Sequence, residues 1–391
     1  MFQDWVVIVA AFGYIGGLFV VASYGDRLTR TTGARPRFFI YPLSLAIYCT
    51  SWTFFGSVGL AAKTNIEFLA IYVGPILMIG CCMPLMRRIV HLAKTQNTTS
   101  IADFIAARYG KSQIVAAIVA TIAIIGSLPY ISLQLKAVAS ALETIIGYNQ
   151  TSGVALQPVI GDVALIVTLA MAAFAILFGT RHTDATEHQH GLMLAIATES
   201  IVKLVAFLIA GAAITFWMFS PATLIERAMQ NPEALRTIGH TPSFGNFVAM
   251  TLLSFCAIVL LPRQFHVGVV ESVDETELRR ARWMFPLYLL AINLFVIPIA
   301  LAGLVTFPFG RVASDMFLQA LPLANKWPLI TIVVFIGGLS AATAMVIVEC
   351  VALAIMVSNH IAVPLMLRER GGFPAGTESV GRSGLQSRRV A

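Results

Sequence analysis

The apolar residues of this chain gather in nine blocks, at about 4–23, 38–61, 67–86, 113–146, 161–179, 190–218, 246–262, 284–306 and 327–357. Each block is long enough to cross a bilayer, since a tilted helix needs about 17–25 mostly apolar residues to span roughly 30 Å of hydrocarbon. Hydrophobic residues make up 58% of the chain and charged residues 12%, against about 25% charge in a soluble domain. The pattern predicts an all-α integral membrane protein of about nine transmembrane helices. It excludes a soluble enzyme and directs attention to transport, to sensing across a bilayer or to scaffolding within it.

The net charge of +7 is topological rather than a nucleic-acid footprint. Of the Lys and Arg residues between the blocks, 19 fall on one side, from Arg27 through Arg87, Arg108, Arg181, Arg263 and Arg282 to Arg389. Five fall on the other side: Lys63, Arg227, Arg236, Arg311 and Lys326. The positive-inside rule places the N-terminus outside and the C-terminus in the cytoplasm, with the bilayer itself as a partner and no nucleic acid. Cys49, Cys81, Cys82, Cys256 and Cys350 all lie inside predicted spans, where Cys acts as a small apolar residue. Their spacing suggests neither a disulfide framework nor a metal site. The first block is a poor signal peptide, because it lacks a basic leader and a small-residue cleavage site.

Most connections are short. The cytoplasmic stretch 99–110 reads as a short amphipathic helix with a Ser or Thr cap and a closing Gly110. Residues 1–365 form one transmembrane domain. From 366 the composition turns to Gly, Ser and Arg, so 366–391 reads as a disordered cytoplasmic tail with the look of a truncated or frameshifted end.

Helix-breaking or small residues occur at depth in three blocks: Tyr41-Pro42 to Ser51-Trp52, Gly126-Ser127-Leu128-Pro129-Tyr130, and Gly337-Gly338 to Thr343. Close packing through small residues is one account. Unwound segments whose carbonyls coordinate a cation near mid-membrane are the other. Charges inside the blocks are few: Lys136, Glu143, Glu199, Lys203 and Glu349. Glu199 and Lys203, four apart, share a helix face and are expected to pair. Glu143 is close to the outer end of its helix, whereas Lys136 and Glu349 lack a local partner and are functional candidates. The edge Arg181, His182, Asp184, Glu187, His188 and His190 fits no zinc spacing and reads as a solvated helix entrance.

These motifs resemble the sodium:solute symporter family over nearly all of 1–365. The resemblance rests on Ser51-Trp52 followed by Gly56 and Gly59, on Thr99 to Gly110, and on Leu261-Pro262-Arg263-Gln264-Phe265-His266. The wording Trp52 to Gly59, Pro129 to Ala137, Gly337 to Thr343 and Val357-Ser358-Asn359 is most similar to the transporter-like N-terminal membrane region of CbrA-type sensor histidine kinases. The resemblance implies a LeuT-type bundle of two inverted five-helix repeats after one extra helix, incomplete here. It implies a solute site at the midplane, with Thr50, Trp52, Tyr130, Gln134 and Lys136 as substrate-binding candidates for a small polar organic solute such as an amino acid.

Carried over by register, the family's cation site falls on the carbonyls of Ala46 and Cys49 and on Ala342 and Thr343, or Ala344 and Met345 in another register. At least one hydroxyl ligand is then missing, which leaves Na+ or H+ as the coupling ion, or no coupling. The implied function is the solute transport or sensing module of a two-component sensor histidine kinase in the bacterial inner membrane. Its kinase domain and response regulator would be the partners; no phosphoacceptor helix or ATP-lid segment is present, and no catalytic residue is assigned. The alternative is a free-standing secondary transporter.

Overall fold

The computed structural model describes residues 4–32, 38–151, 169, 172–173, 176, 190–272, 275–307 and 310–369. The fifth apolar block apart from isolated positions, the ionisable edge from Arg181 to His188 and the tail beyond Glu369 lie outside the described residues. Among the described residues all regular structure is helical and there is no strand. Six helices are long and apolar enough to cross a membrane, or up to seven if the bent pair Phe244–Leu260 and Pro262–Val270 is one span. The chain is thus an all-α protein with the helices of a multi-pass membrane protein; the fifth of its nine blocks lies largely outside the described residues, and among the other eight fewer whole spans are found.

The shortfall has a local cause in the second block. Helix α1 (Asp4–Thr32) is followed by a short helix α2 (Ile40–Ser44), which tightens into a 3-10 turn over Leu45–Tyr48. At Cys49 the backbone is extended, with φ −80° and ψ 97°. A wide π-type turn, Trp52–Gly56, and helix α3 (Ser57–Thr64) then complete the crossing. Two half-helices therefore stand where one span was expected. At Asn65, with φ 53° and ψ −116°, the chain turns toward α4 (Ala70–Ile76).

The other two expected breaks are absent. Helix α7 (Gln113–Thr151) is continuous through Pro129, the first helices of the cytoplasmic segment being α5 (Met83–Thr95) and α6 (Ile101–Arg108). Ser100 caps α6 by accepting a hydrogen bond from Asp103 N. Beyond it come α8 (His190–Ala212), two short helices α9 (Pro221–Gln230) and α10 (Pro232–Ile238), and α11 (Phe244–Leu260) bending into α12 (Pro262–Phe265). Helices α13 (Glu275–Asn293), α14 (Val296–Thr306) and α15 (Phe317–Ala324) lead to α16 (Pro328–Val357), which runs unbroken through Gly337 to Thr343. Its glycines serve close approach: a Cβ on Gly337 would come 2.6 Å from Phe54 Cζ, and Gly338 lies under the Phe55 ring. Packing through small residues, not unwinding, explains that motif.

Burial sorts these helices into an inner and an outer set. The apolar window of α16 is 78% buried, whereas those of α1 and α7 are 17% buried. Helix α16 packs on α7 and α8 and also touches both halves of the broken second span. It is the central element of the bundle.

Candidate functional site

The break at Cys49 and Thr50 exposes two kinds of backbone group. The half-helix ending there leaves Cys49 O without an N–H partner, while Ala46 O accepts from Cys49 N at 2.9 Å, and the half beginning at Ser51 presents N–H groups without acceptors. Neither can be left bare in hydrocarbon. On the carbonyl side, Lys203 of α8 reaches across and its Nζ donates to Ala46 O at 2.8 Å and to Cys49 O at 2.6 Å. On the N–H side, Gln134 Oε1 of α7 accepts from Ser51 N at 3.0 Å and from Ser51 Oγ at 2.6 Å. Thr50 Oγ1 accepts from Trp52 N at 3.3 Å and shares a hydrogen bond with Tyr130 Oη at 3.0 Å. Each end receives the polarity it lacks.

The counter-charge for Lys203 is arranged differently from expectation. Glu199, four residues earlier on α8, accepts a hydrogen bond from Thr343 Oγ1 at 2.5 Å, while its backbone carbonyl accepts from Ser340 Oγ at 2.9 Å. The expected pairing within α8 is therefore a longer-range attraction. The donors of Lys203 go to backbone instead, because the carbonyls of a broken helix end offer a shorter reach and a favourable dipole.

A second buried charge pair lies nearby. Arg263 of α12 donates from Nη1 to Glu349 Oε2 of α16 at 2.9 Å, with both side chains almost wholly buried. Ser127 Oγ donates to Glu349 Oε1. The Arg263 guanidinium also stacks 4.7 Å from the centre of the Tyr130 ring, a cation–π geometry. Arg263 counted as a loop charge in the sequence because Pro262 signals a helix boundary. The bend at Leu261, with ψ 134°, instead turns the residue inward.

Beside the Arg263 cluster is a half-open pocket of about 640 Å³, within the roughly 300–1,000 Å³ of small-molecule sites. Tyr48, Trp52 and Thr53 wall it from the second span, Ser127 and Tyr130 from α7, and Arg263 from α12. Ile101 and Ile105 of α6 close one end, and Ile71, Ile122, Leu253 and Leu260 give it an apolar flank.

The nine sequence-predicted site residues divide accordingly. Trp52 and Tyr130 line the cavity. Thr50 and Gln134 adjoin them but are buried and engaged in closing the break. Lys136 is exposed on the surface of the bundle and does not line the cavity, since its position on α7 turns it away from Gln134. Ala46 and Cys49 do offer their carbonyls together, and Ala342 and Thr343 are fully buried residues of α16. The sodium ion implied by the resemblance does not fit this set. Its two carbonyls hold an ammonium, Ala342 brings no side-chain oxygen, and the Thr343 hydroxyl is turned to Glu199. Lys203, Ser51, Arg263 and Ser127 are the residues missed. No group of His, Cys, Asp or Glu suited to a metal occurs among the described residues.

On α6, outside the candidate spans, Asp103 Oδ1 lies 3.0 Å from His360 Nε2, and Thr99 donates to Asp103 Oδ2 from both N and Oγ1. Burial by itself would raise the Asp103 carboxyl, but the hydrogen bonds from His360 and Thr99 outweigh it and hold the group down at about 2. The contact ties α6 to the π-type turn Ser358–Ala362 that follows α16. Compared with family models and with curated proteins, the chain matches none.

Proposed function

We propose that this chain is a solute-binding membrane module of the sodium:solute symporter type, serving as the sensing or transport part of a two-component sensor histidine kinase in the bacterial inner membrane. The observation that carries the reading is the cavity against the break, walled by Trp52, Tyr130 and Arg263. A broken span beside a mid-bundle cavity is how inverted-repeat transporters make their sites. The module then belongs to a LeuT-type fold whose fifth span falls among the residues not described.

The solute class is a small organic molecule with a carboxylate and an apolar body, an amino acid being the simplest case. Arg263 offers donor edges beyond the one used by Glu349, and the Ile and Leu flank suits an aliphatic or aromatic remainder. A free-standing secondary transporter is the second reading, favoured by the same cavity.

The test is equilibrium binding of a radiolabelled amino-acid and carboxylic-acid panel to the purified chain. One or more members should bind, with loss of binding on Trp52→Ala or Arg263→Gln and no change on Lys136→Ala. Binding that is absent throughout the panel, or that depends on Lys136 and not on Trp52, contradicts the assignment. Uptake into proteoliposomes by a binding-competent chain favours the transporter reading over the sensor.

A further inference from the structure

A membrane helix that stops midway leaves carbonyls carrying partial negative charge and no N–H to accept from. In hydrocarbon a positive partner must be supplied. Ala46 O and Cys49 O converge on one atom, Lys203 Nζ, at 2.8 and 2.6 Å. Ala46, Cys49 and Lys203 all have no exposed surface, and the lysine comes from a different span, 157 residues away from Ala46.

We propose that Lys203 is a tethered cation, built into the chain where a mobile coupling ion would otherwise seat, so that the broken second span closes without sodium and the carbonyl cradle admits no metal ion while the amine is in place.

Charge balance supports this. Glu199 stands one turn from Lys203 on α8 and is held toward Thr343, so the buried pair is neutral as a unit. A further monovalent cation would add an uncompensated buried charge, which costs several kcal/mol. The opposite end of the break is closed by neutral groups, Gln134 and Thr50, and calls for no ion. The other lysine inside a predicted span, Lys136, is exposed and not part of the arrangement. Amine removal should convert the cradle into a true ion site, because carbonyl oxygens without a donor are ligands for hard cations. The inference concerns what holds the break closed, and it stands whether or not the chain moves a solute.

The experiment is thermal unfolding of the purified full chain in matched NaCl, choline chloride and methylammonium chloride. Wild type should unfold at the same temperature in all three. Lys203→Ala should be destabilised in choline and regain stability in Na+ or in methylammonium, which restores the missing group as a free molecule. A wild-type midpoint raised by Na+ overturns the proposal, as does a folded Lys203→Ala that responds to neither cation. Should the alanine variant fail in every buffer, Lys203→Arg and Lys203→Met decide. Recovery of the Arg variant alone supports the tethered cation, whereas recovery of the Met variant at wild-type stability, or loss of both, contradicts it.

Discussion

The molecule buries two cations within one bundle and satisfies them by opposite means. Lys203 is held by backbone dipoles at a break, with its counter-charge displaced to a threonine hydroxyl. Arg263 is held by a carboxylate, Glu349, on an unbroken helix, with Ser127 completing the pair and a cavity on its other side. The difference lies in what can be replaced. A side-chain partner can be exchanged together with its charge, whereas a backbone carbonyl cannot be mutated away. The Arg263 cluster is therefore free to serve a ligand, and the Lys203 cluster is bound to the architecture.

The largest effect should come from splitting the side-chain pair. Glu349→Ala leaves Arg263 uncompensated and should cost about 3–5 kcal/mol, read as a fall in unfolding midpoint in detergent. Replacing both members, Arg263→Met with Glu349→Leu, should return most of that stability while abolishing solute binding, since apolar isosteres of buried pairs are commonly neutral.

No such rescue should exist at the first site. Lys203→Met should cost roughly 1–3 kcal/mol for the orphaned Cys49 carbonyl, with less lost at Ala46 O, which keeps its bond from Cys49 N, and adding Glu199→Gln should not recover it. Full recovery by that double variant would mean that the ion pair, rather than the break, is what Lys203 serves. A smaller step separates the clusters further. Ser127→Ala removes one donor to a charged acceptor and should cost about 1–2 kcal/mol, weakening solute binding through the orientation of Glu349 and Arg263.

The break itself was legible in the sequence. Tyr41-Pro42 to Ser51-Trp52 is one of three segments marked by helix-breaking or small residues, the family register puts its opening near Ala46 and Cys49, and the backbone opens at Cys49. The cation in it was not legible. Four-residue spacing directs Lys203 to Glu199, and backbone carbonyl acceptors leave no trace in residue identities. Gly126 to Tyr130 and Gly337 to Thr343 carry the same small-residue signature as the true break but differ in context. Pro129 is accommodated within a continuous α7, and Gly337 and Gly338 receive aromatic rings. Arg263 lies inside the bundle and Lys136 on its surface for a similar reason: a bend at Leu261 and the helical phase of α7 set their direction, and neither is encoded at the residue itself.

The smallest expected effect lies outside both clusters and serves as a control for them. Asp103 has its carboxyl at about 2 in the folded chain, below its ordinary value of about 3.9. A lowered carboxylate contributes stability that is complete above about pH 4 and is lost as pH falls toward about 2. With its partial exposure discounted, the contribution is about 1 kcal/mol. The stability of wild type over Asp103→Asn should be constant above about pH 4 and shrink as pH falls through that window, with the Lys203 and Arg263 variants retaining the wild-type slope there.

The most direct measurement of the central claim is a density map of the purified chain in Na+-containing buffer, at a resolution that shows side chains and carbonyl oxygens. It should show an extended backbone at Cys49, with Lys203 Nζ within hydrogen-bonding distance of Ala46 O and Cys49 O and no ion between them. A continuous helix from Ile40 through Thr64, or a separate ion on those carbonyls with Lys203 turned to Glu199, would contradict it.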